Sequence, residues 1–309
     1  MPRWALGNPW SVVIPRAARH GLAALSGDEQ LVIFSRLCNV LDPDVAVAFG
    51  STSSELWALT QAPRQQLQAD YEAATALSRQ AGYRSCKELC EAKWVAWDHN
   101  SLSSDDLALL GTLGSVLPAL EKLILREPAA GPDGVQRLAE KLGAGALPAV
   151  TELNLFDTRV GDAGASALAA ALGRGALPRL KTIFLVRTAI GDAGLVALSP
   201  ALRRLPALES LILLNNQFGV EGLAALVAPP PPAGAPPTTT GGLTKLKALN
   251  LSGTEVSDAG CATLAAALNN GALPALERLY LYGIPASAAA RATVWRAGLV
   301  VLRDSLLVL

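Results

Sequence analysis

The side chains able to do nucleophilic or metal chemistry are few: Cys38, Cys86, Cys90 and Cys261, with His20 and His99. Cys86 and Cys90 stand four residues apart, on one face of a helix, and a tetrahedral zinc site would need further ligands at knuckle-like spacing. Neither histidine supplies them. The pair therefore reads as two small semi-buried side chains, and no metal is expected. His99 follows Asp98, and no nucleophile or metal partner accompanies this acid–imidazole neighbour, so it reads as a polar turn. Gly-Asp-Ala-Gly recurs at 161 and 191, but no glycine-rich loop ends in Lys-Ser or Lys-Thr to cradle a phosphate. The expectation is no catalytic residue, no cofactor and no enzyme.

The chain as a whole bounds the partner. Its 309 residues carry 26 basic and 26 acidic side chains, a net charge of zero, which lacks the footprint of a nucleic-acid binder or of a polybasic membrane-surface protein. No run of about 18 uninterrupted apolar residues appears, so no transmembrane helix is expected. Few, unpatterned cysteines suit a reducing compartment, cytoplasm or nucleus. Arg3, Arg16 and Arg19 precede the first acid, Asp28, faintly in the manner of an organelle-targeting peptide, while Pro2, Pro9 and Pro15 break an amphipathic helix. Residues 1–20 accordingly read as an irregular arm, with targeting as the second reading.

What remains is repetition. Aligned on Leu-x-Leu, six segments centre on Leu123, Leu153, Ile183, Leu211, Leu249 and Leu279, about 30 residues apart except where an insertion intervenes. Each ends a Leu-x-x-Leu-x-Leu run with period two, the mark of a short strand. Thr158, Thr188, Asn216 and Thr254 follow at a common turn position, where they can bond open backbone groups of the neighbouring turn. Asp162, Asp192 and Asp258 then stand where a helix N-cap belongs. Gly143, Gly173 and Gly271 end the helices. An atypical earlier unit places Val95 and Trp97 on a strand and Asn100 at the turn. One unit cannot bury its leucines alone, but a stack can. The pattern resembles the ribonuclease-inhibitor-like leucine-rich repeats. That resemblance implies an α/β solenoid over 92–309, with parallel strands on a concave face and helices on the convex one.

Strand residues beside the buried leucines should face the concave solvent. They include Lys122, Arg126, Asn154, Phe156, Phe184, Val186, Ile212, Leu214, Asn250, Arg278, Tyr280 and Tyr282. So many large apolar groups in one row suit a protein partner; the competing readings are a cover from elsewhere in the chain, or a one-residue register shift. The insertion at 228–242, rich in Pro, Thr and Gly, reads as a solvated loop outside the stack.

Residues 21–91 read as helical, with Ser26 or Asp28 able to cap the first helix and Pro43 opening the second. The span from Leu25 to Leu59 resembles an F-box: Leu31, Ile33, Phe34, Ser35, Arg36 and Leu37 match its first helix, Leu41 to Val45 its middle turn, and Trp57 and Leu59 its end. Leu25-Ser26-Gly27 replaces the usual Leu-Pro start, and Phe-Gly-Ser-Thr-Ser-Ser-Glu replaces the Val-Cys-basic stretch. The resemblance implies that Leu31, Ile33, Phe34, Leu37 and Val45 dock on a Skp-type adaptor of a cullin ubiquitin ligase. The alternative is a helical cap closing the solenoid. The expected function is a non-catalytic protein-binding module, a monomer by itself, that selects substrates for such a ligase. The other readings are a scaffold subunit of a larger assembly and, third, a regulator of small GTPases.

Overall fold

The computed structural model describes residues 25–98, 101–228 and 242–297, and the chain divides into two compact units between Cys90 and Glu91. Residues 1–20, His99, Asn100 and all but the two ends of the 228–242 insertion lie outside the described residues.

The first unit is helical: α1 (Gly27–Leu37), α2 (Asp44–Gly50), α3 (Ser54–Leu59), α4 (Gln61–Gln80) and α5 (Cys86–Glu91). Ser26 begins it with a reciprocal cap. Its hydroxyl oxygen accepts from the Glu29 N–H at 3.3 Å, and the Glu29 carboxylate accepts from the Ser26 N–H at 2.8 Å. The bonds from Ser26 hold the Glu29 carboxyl below the usual carboxylate range. Phe34, Ala46, Phe49, Leu56 and Leu67 form the core, with Ile33, Leu37, Cys38 and Val40 packed against it. Helix α4 begins two residues before Pro63, since a first helical turn loses nothing by a missing N–H.

In the second unit strands and helices alternate: β1 (Trp94–Asp98), α6 (Ser104–Leu113), β2 (Lys122–Arg126), α7 (Gly131–Lys141), β3 (Glu152–Asn154), α8 (Gly161–Gly173), β4 (Thr182–Phe184), α9 (Asp192–Arg204), β5 (Ser210–Ile212), α10 (Val220–Leu226), β6 (Ala248–Asn250), α11 (Asp258–Asn269), β7 (Arg278–Tyr280) and α12 (Ala288–Arg296). The seven strands form one open parallel sheet in strict chain order. Register aligns Val95, Leu123, Leu153, Ile183, Leu211, Leu249 and Leu279 in a single buried line. The spacing read from sequence is thus the register of the sheet, and the atypical first unit supplies β1.

Past each short strand the chain turns, and the turn is bonded from within. Asn216, 3% exposed, saturates its amide. Its Nδ2 donates to the Leu185 and Leu213 carbonyls at 2.6 and 3.0 Å, while its Oδ1 accepts from Ile190 N–H at 3.0 Å and the Thr188 hydroxyl at 2.9 Å. Thr158 donates to Leu125 of the preceding repeat at 2.9 Å and Thr254 to its own Leu251 at 2.6 Å. The second repeat has Pro128 at this position. There the fully buried Glu127 serves instead, its carboxylate accepting from the Leu102 N–H at 3.3 Å and its own N–H donating to Thr158 Oγ1 at 3.1 Å.

The acids at the helix starts act differently from the sequence expectation. Asp162 and Asp192 do not cap their own helices; each reaches forward to the next repeat. Asp162 Oδ1 accepts from Gly191 and Gly194 at 2.8 and 3.0 Å, and Asp192 Oδ1 from Gly219 and Gly222 at 2.9 and 2.6 Å. Asp258 likewise accepts from the Ser287 N–H at 2.5 Å. A carboxylate inside one helix's first turn therefore neutralises the positive N-terminal end of its neighbour. The Asp-x-Gly pattern follows from that approach: a Cβ on Gly194 would meet Asp162 Oδ1 at 2.4 Å, and one on Gly222 would meet Asp192 Oδ1 at 2.9 Å. Pro132 and Val220 occupy the equivalent positions of α7 and α10, and neither can make the link. At the opposite helix ends Arg174 reaches back, its Nη2 donating to the Ala139 and Leu142 carbonyls at 2.8 and 3.1 Å.

Candidate functional site

The surface built by the strands is the candidate site, because alternate residues of every strand must leave the buried line and face the other way. Three ranks result. The first runs through Trp94, Lys122, Glu152, Thr182, Ser210, Ala248 and Arg278. The second runs through Ala96, Ile124, Asn154, Phe184, Ile212, Asn250 and Tyr280. The third begins Asp98, Arg126 and continues past the strand ends through Phe156, Val186, Leu214, Ser252 and Tyr282, where hydrogen bonds from Asp157 N–H to Val186 (2.9 Å) and Gly253 N–H to Tyr282 (2.7 Å) prolong the ladder. All twelve residues expected on this face belong to these ranks.

Their depths differ. Lys122 and Arg278 are exposed, Tyr282 is 71% exposed, and Arg126, Asn154, Phe156, Phe184, Leu214 and Tyr280 are half-buried. Val186, Ile212 and Asn250 depart from the expectation: at 1%, 7% and 6% exposure they are floor and not open surface. Both asparagines are also engaged locally. Asn154 Oδ1 accepts from the Phe156 N–H at 2.9 Å and Asn250 Oδ1 from the Ser252 N–H at 3.0 Å, each an Asx-type closure onto the backbone two residues on. Sequence reasoning missed Trp94, 59% exposed in the first rank; its register with Lys122 was implicit once β1 was read as a strand.

Charge on the face is largely self-compensated. Lys122 meets Glu152 at 3.0 Å, and Arg126 meets Asp98 at 3.6 Å while its guanidinium lies 4.2 Å from the centre of the Phe156 ring. Arg187 meets Asp157 at 3.6 Å. Along the strand-start edge Lys93 pairs with Glu121 at 3.1 Å and Lys247 with Glu209 at 2.8 Å. The Lys247 bond lowers the Glu209 carboxyl below its usual value and raises the ammonium above its own, so both stay charged across the neutral range. Pairs this exposed contribute little stability; their effect is to leave apolar and neutral polar groups as the chemistry the face presents.

Burial pushes the Cys38 and Cys261 thiols above the ordinary range, and no group of acids, histidines and cysteines suited to a metal exists among the described residues. No helix among them is long and apolar enough to cross a membrane.

In the helical unit, Phe34 is 1% exposed and belongs to the core, and Ile33 and Leu37 pack against it. The expectation that Phe34 meets an adaptor fails for that reason: helical spacing cannot say which apolar face is inward. Leu31 is half-buried and Val45 is 55% exposed, in company with Val32, Trp57 and Leu59. Trp57 is covered on one side by Arg64, whose guanidinium carbon lies 3.3 Å from the ring centre.

A family model described as Leucine Rich repeat matches residues 147–169 and 242–265. No curated protein matches the chain by sequence. Among solved structures, the crystal structure of the Rad7 and Elc1 complex in yeast aligns at 13% identity over 82% of this chain and 98% of that one, with a TM-score of 0.24. An internalin from Listeria monocytogenes aligns at 14% identity over 76% and 87%, with a TM-score of 0.28. The two segments matched by the family model run from a Leu-containing turn through β3 into α8 and through β6 into α11, and the same register carries through all seven strands. The second unit is a leucine-rich-repeat solenoid.

Proposed function

We propose that this chain is a non-catalytic protein-interaction module whose partner seats on the strand-lined face of the repeats. The observation that carries the reading is the composition of that face. Phe156, Phe184, Leu214, Tyr280 and Tyr282 are at least partly open while neighbouring charges pair among themselves. Aromatic groups in such a setting are the usual anchors of protein interfaces. Photo-crosslinking side chains placed at Phe156, Phe184 and Tyr282 in the full chain in cells should capture one common protein, whereas the same groups at Ala163 and Ser166 on α8 should not. Capture from the helix positions alone would overturn the reading.

A second reading concerns the purpose of binding. The F-box resemblance of the helical unit, with Val32, Val45 and Trp57 open at its surface, favours recruitment of a Skp-type adaptor and substrate selection for a cullin ligase over a purely scaffolding role. Phe34 is unsuitable for testing this, since a charge there breaks the core. Val45→Asp is the informative variant, because an exposed side chain can be changed without unfolding. It should remove the adaptor from the purified complex and leave thermal unfolding unchanged, and an adaptor absent from the wild-type complex would refute recruitment.

A further inference from the structure

The strand-lined face is not uniform, and its C-terminal third has a distinct shape. On β6 the outward positions carry small side chains, Ala248, Asn250 and Ser252, at 4%, 6% and 5% exposure. Leu214 rises from the β5 side and Tyr280 and Tyr282 from the β7 side, in register with them, while Ile212 lies at floor depth. Neighbouring parallel strands lie about 4.8 Å apart, so the β5 and β7 backbones that carry these side chains stand about 10 Å from each other across β6.

The floor has donors to give. Asn250 Oδ1 is taken by the Ser252 N–H at 3.0 Å, and Ser252 Oγ by the Tyr282 N–H at 3.1 Å. Those acceptors are used, while the Asn250 amide hydrogens and the Ser252 hydroxyl hydrogen have no acceptor among the described residues. Backbone carbonyls of an extended chain are their natural partners. Charge supplies the direction. The cations of the first and third ranks, Lys122 and Arg126, are paired with acids, but Arg278 is exposed and makes no ion pair among the described residues. Glu277 beside it faces Lys247, which Glu209 already holds at 2.8 Å. Arg278 and Tyr282 are four residues apart on the same side, about 13 Å along the strand.

We infer that the trough over β6 is a slot for an extended polypeptide segment of the partner, with an acidic residue held by Arg278 and an uncharged aliphatic or aromatic residue between Leu214 and Tyr282. The inference rests on the proposed role of the strand-lined face and deepens it to a recognition chemistry. The test selects displayed random peptides against the full chain. Recovered peptides should share an acid three to five residues from a large apolar side chain. Arg278→Glu and Tyr282→Ala, both at exposed positions, should each weaken them about tenfold or more without changing thermal unfolding. Lysine in place of the peptide acid should restore binding to Arg278→Glu. Recovery of no peptide, or of peptides indifferent to both substitutions, overturns the slot. Capture of a partner through Phe156 and Phe184, unaffected by Arg278→Glu and Tyr282→Ala, would leave the module reading standing and remove the slot alone.

Discussion

Replacing Asn216 with alanine is expected to cost the solenoid about 3–5 kcal/mol. The amide joins two turns: it closes the Leu185 and Leu213 carbonyls and receives the Ile190 N–H and the Thr188 hydroxyl. Alanine leaves the Ile190 N–H and the Leu213 carbonyl without this partner in a site that is 3% exposed, while the Thr188 hydroxyl can still donate to Leu185 at 3.2 Å, and each buried orphan costs about 1–3 kcal/mol. Threonine, which stands at this turn in three other repeats, keeps one donor and should recover about half the loss. Because a repeat array couples mainly nearest neighbours, the damage should be local. Hydrogen exchange should quicken first in the β4 and β5 rungs, with β1 and β2 lagging. Uniform acceleration across all seven strands, or an alanine variant as stable as the wild type, would contradict this account.

The second large effect is Gly194→Ala. In most helices such a change is favourable by up to about 1 kcal/mol. Here the new methyl would sit 2.4 Å from Asp162 Oδ1 and 3.0 Å from Asp162 Cα. The carboxylate must swing away, losing its bonds to Gly191 and Gly194, and the two helices must part slightly. A loss of about 2–3 kcal/mol is expected, measured by chemical unfolding. The argument is sharpest in a double-mutant cycle. Asp162→Ala alone should cost about 1 kcal/mol, as loss of a helix cap does. With the carboxylate gone, the Gly194→Ala penalty should fall to less than half, because only the approaches to Asp162 Cα and Ile190 Cγ2, at 3.0 and 3.1 Å, remain. Additive losses would show that the Asp162 contact does not set the glycine requirement.

The solenoid was legible in the sequence because its determinants are local and periodic: a buried aliphatic residue in each strand, a Thr or Asn at most turns, a near-constant spacing between them. Its failures have equally local causes. Asp162 and Asp192 look like ordinary caps, since a carboxylate at a helix start reads the same whether it serves its own helix or the next. Gly194 and Gly222, glycines inside helices with no turn to justify them, were the available sign that something approaches closely. On the strand face, period two assigns a side but not a depth. Val186 lies between Phe156 and Leu214, and Ile212 beside Phe184, so their depth depends on more than one chain segment. Asn250 is short and stands between Ile212 on β5 and Tyr280 on β7. Phe34 follows the same rule in the helical unit: Phe49, Leu56 and Leu67 together decide which side of α1 is inside.

The forward reach of Asp162, Asp192 and Asp258 has a consequence for the order of events during synthesis. A nascent chain presents its N-terminal repeats first, and each of these carboxylates belongs to the earlier repeat while the amides it satisfies belong to the later one. When α9 or α10 emerges, the group that neutralises its starting end is therefore already in place on a finished surface. Growth in the opposite direction would have no such template. The relay lapses after α10, where Val220 stands in the acid's position and the next helix, α11, has no side-chain cap. The proline-rich 228–242 stretch is encoded at that same junction, so the ribosome adds the length of this insertion to the interval between a templated helix and one that must start unaided.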